Sequence, residues 1–318
     1  MNILVTGANG FVGQALCLEL EAQGFHVRAA VRCFGVFQEL NNYDNVFVGD
    51  IGPNTDWEKA LIGVDCVVHL AARVHVMAVQ AADPLAEFRY VNCDGTINLA
   101  EQAALLGVQR FVYLSTVKVN GEETFSKPFS EDDSPCPCDP YGISKAEAEE
   151  QLLALVVKET MEVVIIRPPL VYGPGVKANF QKLMRIVAKG IPLPFGAIHN
   201  ERSLVGLDNL VDLIRRCIGH SAAANQIFLA GDGEDLSTTE LLYRLGNALE
   251  KPARLLPVPQ ILLKSGLELI GKGDVAQRLC GSLQVDISKA RNLLGWKPPL
   301  SMDEGLLQTA QYYLDEIS

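Results

Sequence analysis

Residues 5–16 read VTGANGFVGQAL, with glycines at 7, 10 and 13 between the apolar run NILVT and a helix-like segment. No other stretch restricts the fold so tightly. A strand that passes at once into a helix must turn sharply, bring backbone N–H groups close to whatever the loop holds, and pack the helix against the strand it has left. Residues without a Cβ meet all three demands. A helix N-terminus opening from such a loop is a ready anion site, suited to a pyrophosphate. The spacing is GxxGxxG and differs from the GxGxxG dinucleotide fingerprint. Glycines also occur in plain strand-to-helix turns, so the nucleotide reading rests on the strand before the loop and the helix after it.

Apolar runs of strand length recur at 2–6, 26–31, 45–48, 66–71, 110–115 and 162–167, with helix-like segments clearest at 11–22, 84–106 and 141–158. Continuous apolar strands separated by helices predict a parallel sheet covered on both faces. The expected fold class is therefore α/β, a doubly wound Rossmann sheet with ligands at the carboxyl ends of its strands. RPPLVYGPG, at 167–175, breaks the alternation, and shorter helices and turns follow it. The spacing predicts a dinucleotide-binding domain over 1–168 and a smaller, mainly substrate-binding lobe over 169–318. A segment near 204–230, holding the apolar run NQIFLA at 225–230, is expected to return to the main sheet.

The net charge of −11 argues against nucleic acid or an acidic membrane surface as partner, since both need a basic field. The eight cysteines (17, 33, 66, 93, 136, 138, 217, 280) show no zinc or CxxC redox spacing and read as reduced thiols of a cytoplasmic protein. MNILVTG offers no basic n-region or cleavable apolar segment, so no leader is expected. QILLKSGLELIGKG is interrupted by Lys264 and Glu268 and is too short and too charged to span a bilayer. No metal is expected: His69 reads as a packed strand residue, and His75 lacks a partner at ligand spacing.

The second strand ends AAVRC, placing Val31 and Arg32 where a cofactor without a 2′-phosphate usually meets a carboxylate. An arginine there can pair with a 2′-phosphate, which favours NADP over NAD; a solvent-facing arginine is the plain alternative. GDI, after the third strand, puts Asp50 and Ile51 at the place of an adenine or in an ordinary turn. In DPYGISKAEAEEQ, Tyr141 and Lys145 stand four apart, within reach of each other on one helix face. That pair alone is a weak motif.

Taken with these, HLAA (69–72), VNCDGT (91–96), LSTVKVNG (114–121), YGISK (141–145), RPPLVYGPG, RSLVGLDNLVD (202–212) and DISKARNLLGWKP (286–298) follow in order nearly end to end. The chain resembles the extended short-chain dehydrogenase/reductase superfamily in its nucleotide-sugar epimerase/dehydratase branch. The resemblance implies that Tyr141 is the acid/base, that Lys145 lowers the Tyr141 pKa and holds the nicotinamide ribose, and that Thr116, 25 positions before the tyrosine, bonds the reacting sugar oxygen. Ser115 is the fallback for Thr116. It also implies cofactor contacts from Gly7, Gly10, Phe11, Val12, Gly13, Arg32, Asp50, Ile51, Leu70, Ala71, Ala72, Ser115, Tyr141, Lys145 and Pro168.

By the same resemblance Asn179, Arg202 and Arg278 meet the substrate's diphosphate and uridine, with surface salt bridges as the rival reading. Two positions depart from the family: Asn120 stands where a tyrosine is frequent, and Lys118 where a small or neutral residue is usual. Both are expected to bear on substrate choice, unless Lys118 merely faces solvent. The implied activity is hydride transfer at the fourth carbon of a nucleotide-diphosphate hexose or hexosamine, UDP-linked, in surface-polysaccharide precursor synthesis. Arg32 leans it towards an NADPH-dependent 4-ketoreductase, with a UDP-sugar 4-epimerase retaining its NAD(P) as the alternative. A 4,6-dehydratase fits less well, because Val117 and Lys118 stand where that chemistry needs an acid and a base. A non-catalytic cofactor sensor on the same fold is the remaining reading. In related enzymes the counterparts of 84–106 and 141–158 pair across a two-fold axis, so a homodimer is expected.

Overall fold

The computed structural model describes residues 1–32, 43–74, 83–156 and 160–317. Seven strands form one parallel sheet: β1 (Asn2–Thr6), β2 (His26–Val31), β3 (Asp44–Phe47), β4 (Cys66–His69), β5 (Arg110–Leu114), β6 (Glu162–Arg167) and, after two further strands, β9 (Gln226–Leu229). Their order is β3-β2-β1-β4-β5-β6-β9, so the sheet reverses direction between β1 and β4. That reversal is the crevice where ligands bind in open α/β sheets. The register aligns the carboxyl ends on both sides of it: Thr6 lies opposite Ala30 and His69, His69 opposite Tyr113, and Leu114 opposite Ile166.

Alternate residues of the strands serve opposite faces. Ile3, Val5, Val68 and Val112 pack with Leu16 and Leu20 of the helix Phe11–Ala22 and with Leu210 and Ile214 of the helix Leu207–Gly219. Leu4, Val67, Phe111 and Ile165 pack on the other face with Leu99, Leu152 and the fully buried Trp57. Both faces are dry, as uninterrupted apolar strands require.

A second sheet of three short strands, β7 (Leu170–Tyr172), β8 (Arg202–Gly206) and β10 (Asp235–Leu236), has the order β10-β8-β7. Its core gathers Tyr172, Phe180, Leu204, Leu242 and Leu306. Between residues 204 and 230 the chain leaves β8, covers the first face of the main sheet with Leu207–Gly219, and adds β9 to β6.

The helix expected over 84–106 spans 84–105 and is interrupted by a π-helical turn, Tyr90–Asp94, between Pro84–Arg89 and Gly95–Leu105. The wider turn frees the Asn92 carbonyl, which accepts from Thr96 Oγ1 at 2.7 Å and from the Tyr113 hydroxyl at 3.4 Å. The strand expected over 66–71 stops at His69. Beyond it Ala71 N donates to Thr6 Oγ1 at 3.2 Å, turning the chain out of the ladder over the glycine loop.

Candidate active site

The glycine loop is built from backbone. Gly7 leaves β1 with φ +67°, and Gly10 N donates to Gly7 O at 2.8 Å. Gly10 caps the helix Phe11–Ala22 with no side-chain bond, so the first N–H groups of that helix are left for a ligand. A Cβ on Gly13 would lie 2.1 Å from Gly7 O, and one on Gly7 would lie 2.8 Å from Ala71 N. Backbone segments that close leave no room for a side chain. Gly13→Ala is therefore expected to cost about 1–3 kcal/mol by forcing loop and helix apart. A lower melting temperature and loss of co-purifying dinucleotide check this; a variant that melts and retains cofactor like wild type would show the loop to be looser than this packing.

Across the crevice, His69 bridges β1 to the π-interrupted helix. Thr96 Oγ1 already donates to Asn92 O, so at 3.0 Å it accepts from His69 Nε2, and Nδ1 accepts from the Thr6 hydroxyl at 2.6 Å. Burial, with the Lys145 charge second, pushes His69 down to about 3. His69 is a neutral strut, as its strand position predicts. His75 lies outside the described residues.

The helix Pro140–Val156 carries Tyr141, Lys145 and Glu149 on one stripe, four residues apart. Tyr141 is half-buried, with its ring edge-on to Phe88 at 6.1 Å. Lys145 is fully buried; its ammonium donates to Leu114 O at 2.8 Å and sits 4.2 Å above the Tyr113 ring. The lysine is thereby tied to the end of β5, the strand that runs straight into Ser115 and Thr116. Burial pulls the Lys145 pKa down to about 7, against the opposing pull of Glu149. Burial and then the Asp139 charge push the Tyr141 hydroxyl well up. Both causes favour the neutral phenol, and positive charge in the crevice would favour its ionisation.

Ser115 and Thr116 enter a short 3₁₀ turn, Val117–Val119. Thr116 Oγ1 accepts from Lys118 N at 3.3 Å, and Val117 N donates to Pro168 O at 3.0 Å, drawing the ends of β5 and β6 together. Ser115 Oγ is buried without a partner among the described residues. An orphaned hydroxyl, a cradle that any Cβ would fill and bare helix N–H groups fit a dinucleotide.

Lys118 is paired within the protein. Its ammonium binds Asp139 Oδ2 at 2.5 Å and Glu122 Oε1 at 2.9 Å. Asp139 Oδ1 in turn accepts from Gly142 N at 2.6 Å, capping the first turn of the helix that bears Tyr141. Asn120 is also engaged internally: its side chain donates to Ser130 O and accepts from Arg167. Arg167 forms a buried ion pair with Glu149 at 2.5 Å, one helical turn beyond Lys145. Asn92, Asp139, Glu149 and Arg167 are the supporting residues that motif reading passes over. The YxxxKxxxE spacing was the available signal for Glu149.

Of the remaining candidates, Arg32 and Asp50 are exposed, with the guanidinium 3.4 Å from the carboxylate. Arg202 is partly buried at the start of β8, where Nη1 donates to Gly281 O at 3.0 Å. Its pKa is lowered by burial, with Glu123 opposing. Arg278, exposed, belongs to the helix Gly273–Cys280 that ends beside Gly281, so the two arginines border one turn. Asn179 is exposed at the start of the helix Ala178–Ala188. A cavity of about 160 Å³ lined by Ser203, Asp235, Val285 and Arg291 adjoins this lobe, and Tyr141 takes no part in it. Among the described residues no acidic, cysteine or histidine cluster suits a metal, and no helix is long and apolar enough to cross a membrane.

The sequence profile of the NAD dependent epimerase/dehydratase family matches residues 3–231, which contain the loop, the crevice and the Tyr141 helix. The chain belongs to this family. It is 52% identical to a UDP-glucose 4-epimerase of Vibrio cholerae, with 98% of this chain and 95% of that protein covered. It is 28% identical to an N-acetyl-alpha-D-glucosaminyl-diphospho-ditrans,octacis-undecaprenol 4-epimerase of Escherichia coli O157:H7, over 98% and 95% of the two chains. Among solved structures, the UDP-glucose 4-epimerase of Thermotoga maritima with UDP-glucose superposes with a TM-score of 0.79 at 25% identity, each chain covered fully. The resemblance to extended short-chain dehydrogenases/reductases and the doubly wound fold are both borne out. The chain is an NAD-dependent epimerase/dehydratase family enzyme.

Proposed function

We propose that this enzyme is a UDP-sugar 4-epimerase that retains NAD. The observation that carries the reading is the end-to-end identity of 52% with a UDP-glucose 4-epimerase, in a chain that keeps Thr116, Tyr141 and Lys145 around the crevice. The lean towards a 4-ketoreductase rested on Arg32. That side chain stands beside Asp50, a carboxylate able to accept from ribose hydroxyls, so its charge is no sole argument for a 2′-phosphate.

When bound, the dinucleotide supplies reversible hydride exchange with the sugar's fourth carbon. Tyr141 Oη takes the proton of the 4-hydroxyl as that carbon is oxidised and returns it when the carbon is reduced from the other face. Lys145, fixed by Leu114 O, holds its positive charge against the ribose and favours the phenolate. Thr116 Oγ1 orients the reacting oxygen. Asn179, Arg202 and Arg278 hold the diphosphate and uridine, the arginines through fork geometry. The 1–168 and 169–318 division, with substrate between its parts, and a homodimer through the helices of 84–105 and 140–156 belong to the same reading.

The test is incubation of purified enzyme with UDP-glucose and no added nucleotide. UDP-galactose is expected to accumulate to equilibrium, with NAD released on denaturation and no net consumption of reduced nicotinamide. Stoichiometric use of NADPH on a 4-keto sugar, without epimerisation, would establish the ketoreductase instead. Retained cofactor with no turnover of any UDP-sugar would leave the sensor.

A further inference from the structure

The chain's net charge conceals a segregation. Residues 176–199 contain four basic side chains and no acidic one, and residues 251–280 contain five basic and two acidic. The two stretches therefore carry +7 of a total of −11, leaving −18 on the rest of the chain. None of their nine basic side chains forms an ion pair with another described residue, whereas Arg28, Arg110, Lys118, Arg167 and Arg244, all outside them, do. The stretches are neighbours in space: Leu256 N donates to Leu193 O at 2.8 Å, and Gly196 N donates to Leu256 O at 2.9 Å.

The same surface is apolar. The helix Gln260–Leu269 has no buried residue; Leu263 and Leu267 are half-covered, while Ile261, Leu262 and Leu269 point outward and are 63–87% exposed. Leu256, Ile270 and Ile191 extend this exposed face. Exposed apolar side chains grouped on one side of a helix are ordinarily covered, and a patch of this kind marks a docking surface. Exposed apolar side chains among unpaired cations are the pattern of a helix lying in the interface of an anionic bilayer.

We infer that the face formed by residues 251–280 and 176–199 docks the enzyme on an anionic phospholipid surface, with Ile261, Leu262 and Leu269 entering the headgroup boundary. Charge complementarity selects this occupant over a second copy. A two-fold contact through this face would set its excess of cations against itself. The docking is peripheral and leaves the chain outside the bilayer core.

The test is co-sedimentation of the full chain with vesicles of phosphatidylcholine alone or with about one-third phosphatidylglycerol. Binding is expected only to the phosphatidylglycerol vesicles and should weaken at high salt. Leu262→Asp with Leu269→Asp should lower the bound fraction at least about tenfold, and Lys264→Glu with Lys272→Glu should do likewise. Both sets change exposed positions, so thermal melting and turnover of soluble UDP-sugar should match wild type. Wild type that stays in the supernatant, equal binding to neutral vesicles, or variants that sediment like wild type would overturn the inference. So would light scattering showing that the leucine substitutions split a dimer in the absence of vesicles, which would assign the face to a second copy.

Discussion

Tyr141→Phe is expected to lower kcat for UDP-sugar epimerisation by about 10²–10⁴-fold while leaving folding and retained NAD unchanged. The substitution removes one hydroxyl from a half-buried ring whose packing against Phe88 needs only the ring. On the proposed mechanism, what it removes is the atom that moves the proton. Burial and Asp139 both favour the neutral phenol at Tyr141, while burial brings the Lys145 pKa down to about 7. A phenolate at Tyr141 and an ammonium at Lys145 would each favour the other's charged form. Positive charge supplied by an oxidised nicotinamide, when bound, would favour the Tyr141 phenolate and ready it as a base. If Tyr141→Phe retained turnover within about tenfold of wild type, proton transfer would have to run through Thr116 or solvent, and the assignment of the acid/base would be wrong.

The sheet was legible because its strands are buried on both faces, so NILVT, CVVH and EVVIIR read as uninterrupted apolar runs. The ends of these runs were less so. Leu70 N still bonds Thr6 O, but Ala71 and Ala72, which continue the apolar pattern, leave the ladder, since Ala71 N bonds the Thr6 side chain. Composition cannot distinguish a residue paired in a sheet from one lining a ligand crevice at its edge. The π-turn at Tyr90–Asp94 is equally silent, because one extra residue in a turn leaves the hydrophobic period nearly intact.

The internal partners of polar residues were hidden from the local sequence. Lys118 read as a departure that faces substrate or solvent; the fold brings Asp139, twenty-one positions later, to its ammonium, and makes it a brace for the N-terminus of the Tyr141 helix. Asn120, in a tyrosine's usual place, closes onto Arg167. These pairings are set by how loops meet across the ends of β5 and β6, which no local pattern encodes. The charge argument against an acidic membrane surface had a related weakness. It averaged over a chain in which two stretches hold nine basic side chains against two acidic ones.

Arg167→Met is expected to destabilise the enzyme by about 3–5 kcal/mol, the cost of leaving one member of a buried ion pair without its partner. Arg167 and Glu149 are both almost fully buried, their side chains 3% and 4% exposed, and the guanidinium meets both carboxylate oxygens while a further nitrogen bonds Asn120. Methionine fills much of the volume but answers neither the Glu149 charge nor the Asn120 carbonyl oxygen. Glu149→Met should be similarly damaging, leaving a buried guanidinium. The double variant should recover most of the loss, since replacing a buried pair by apolar groups of like size is often neutral. Denaturant midpoints of the four proteins give the coupling directly. A large coupling with impaired turnover in the stable double variant would mean that the pair also sets the Lys145 stripe against the Thr116 turn, because Glu149 follows Lys145 by one turn and Asn120 follows the 3₁₀ turn. Additive small losses would mean that water reaches the pair and that neither role holds.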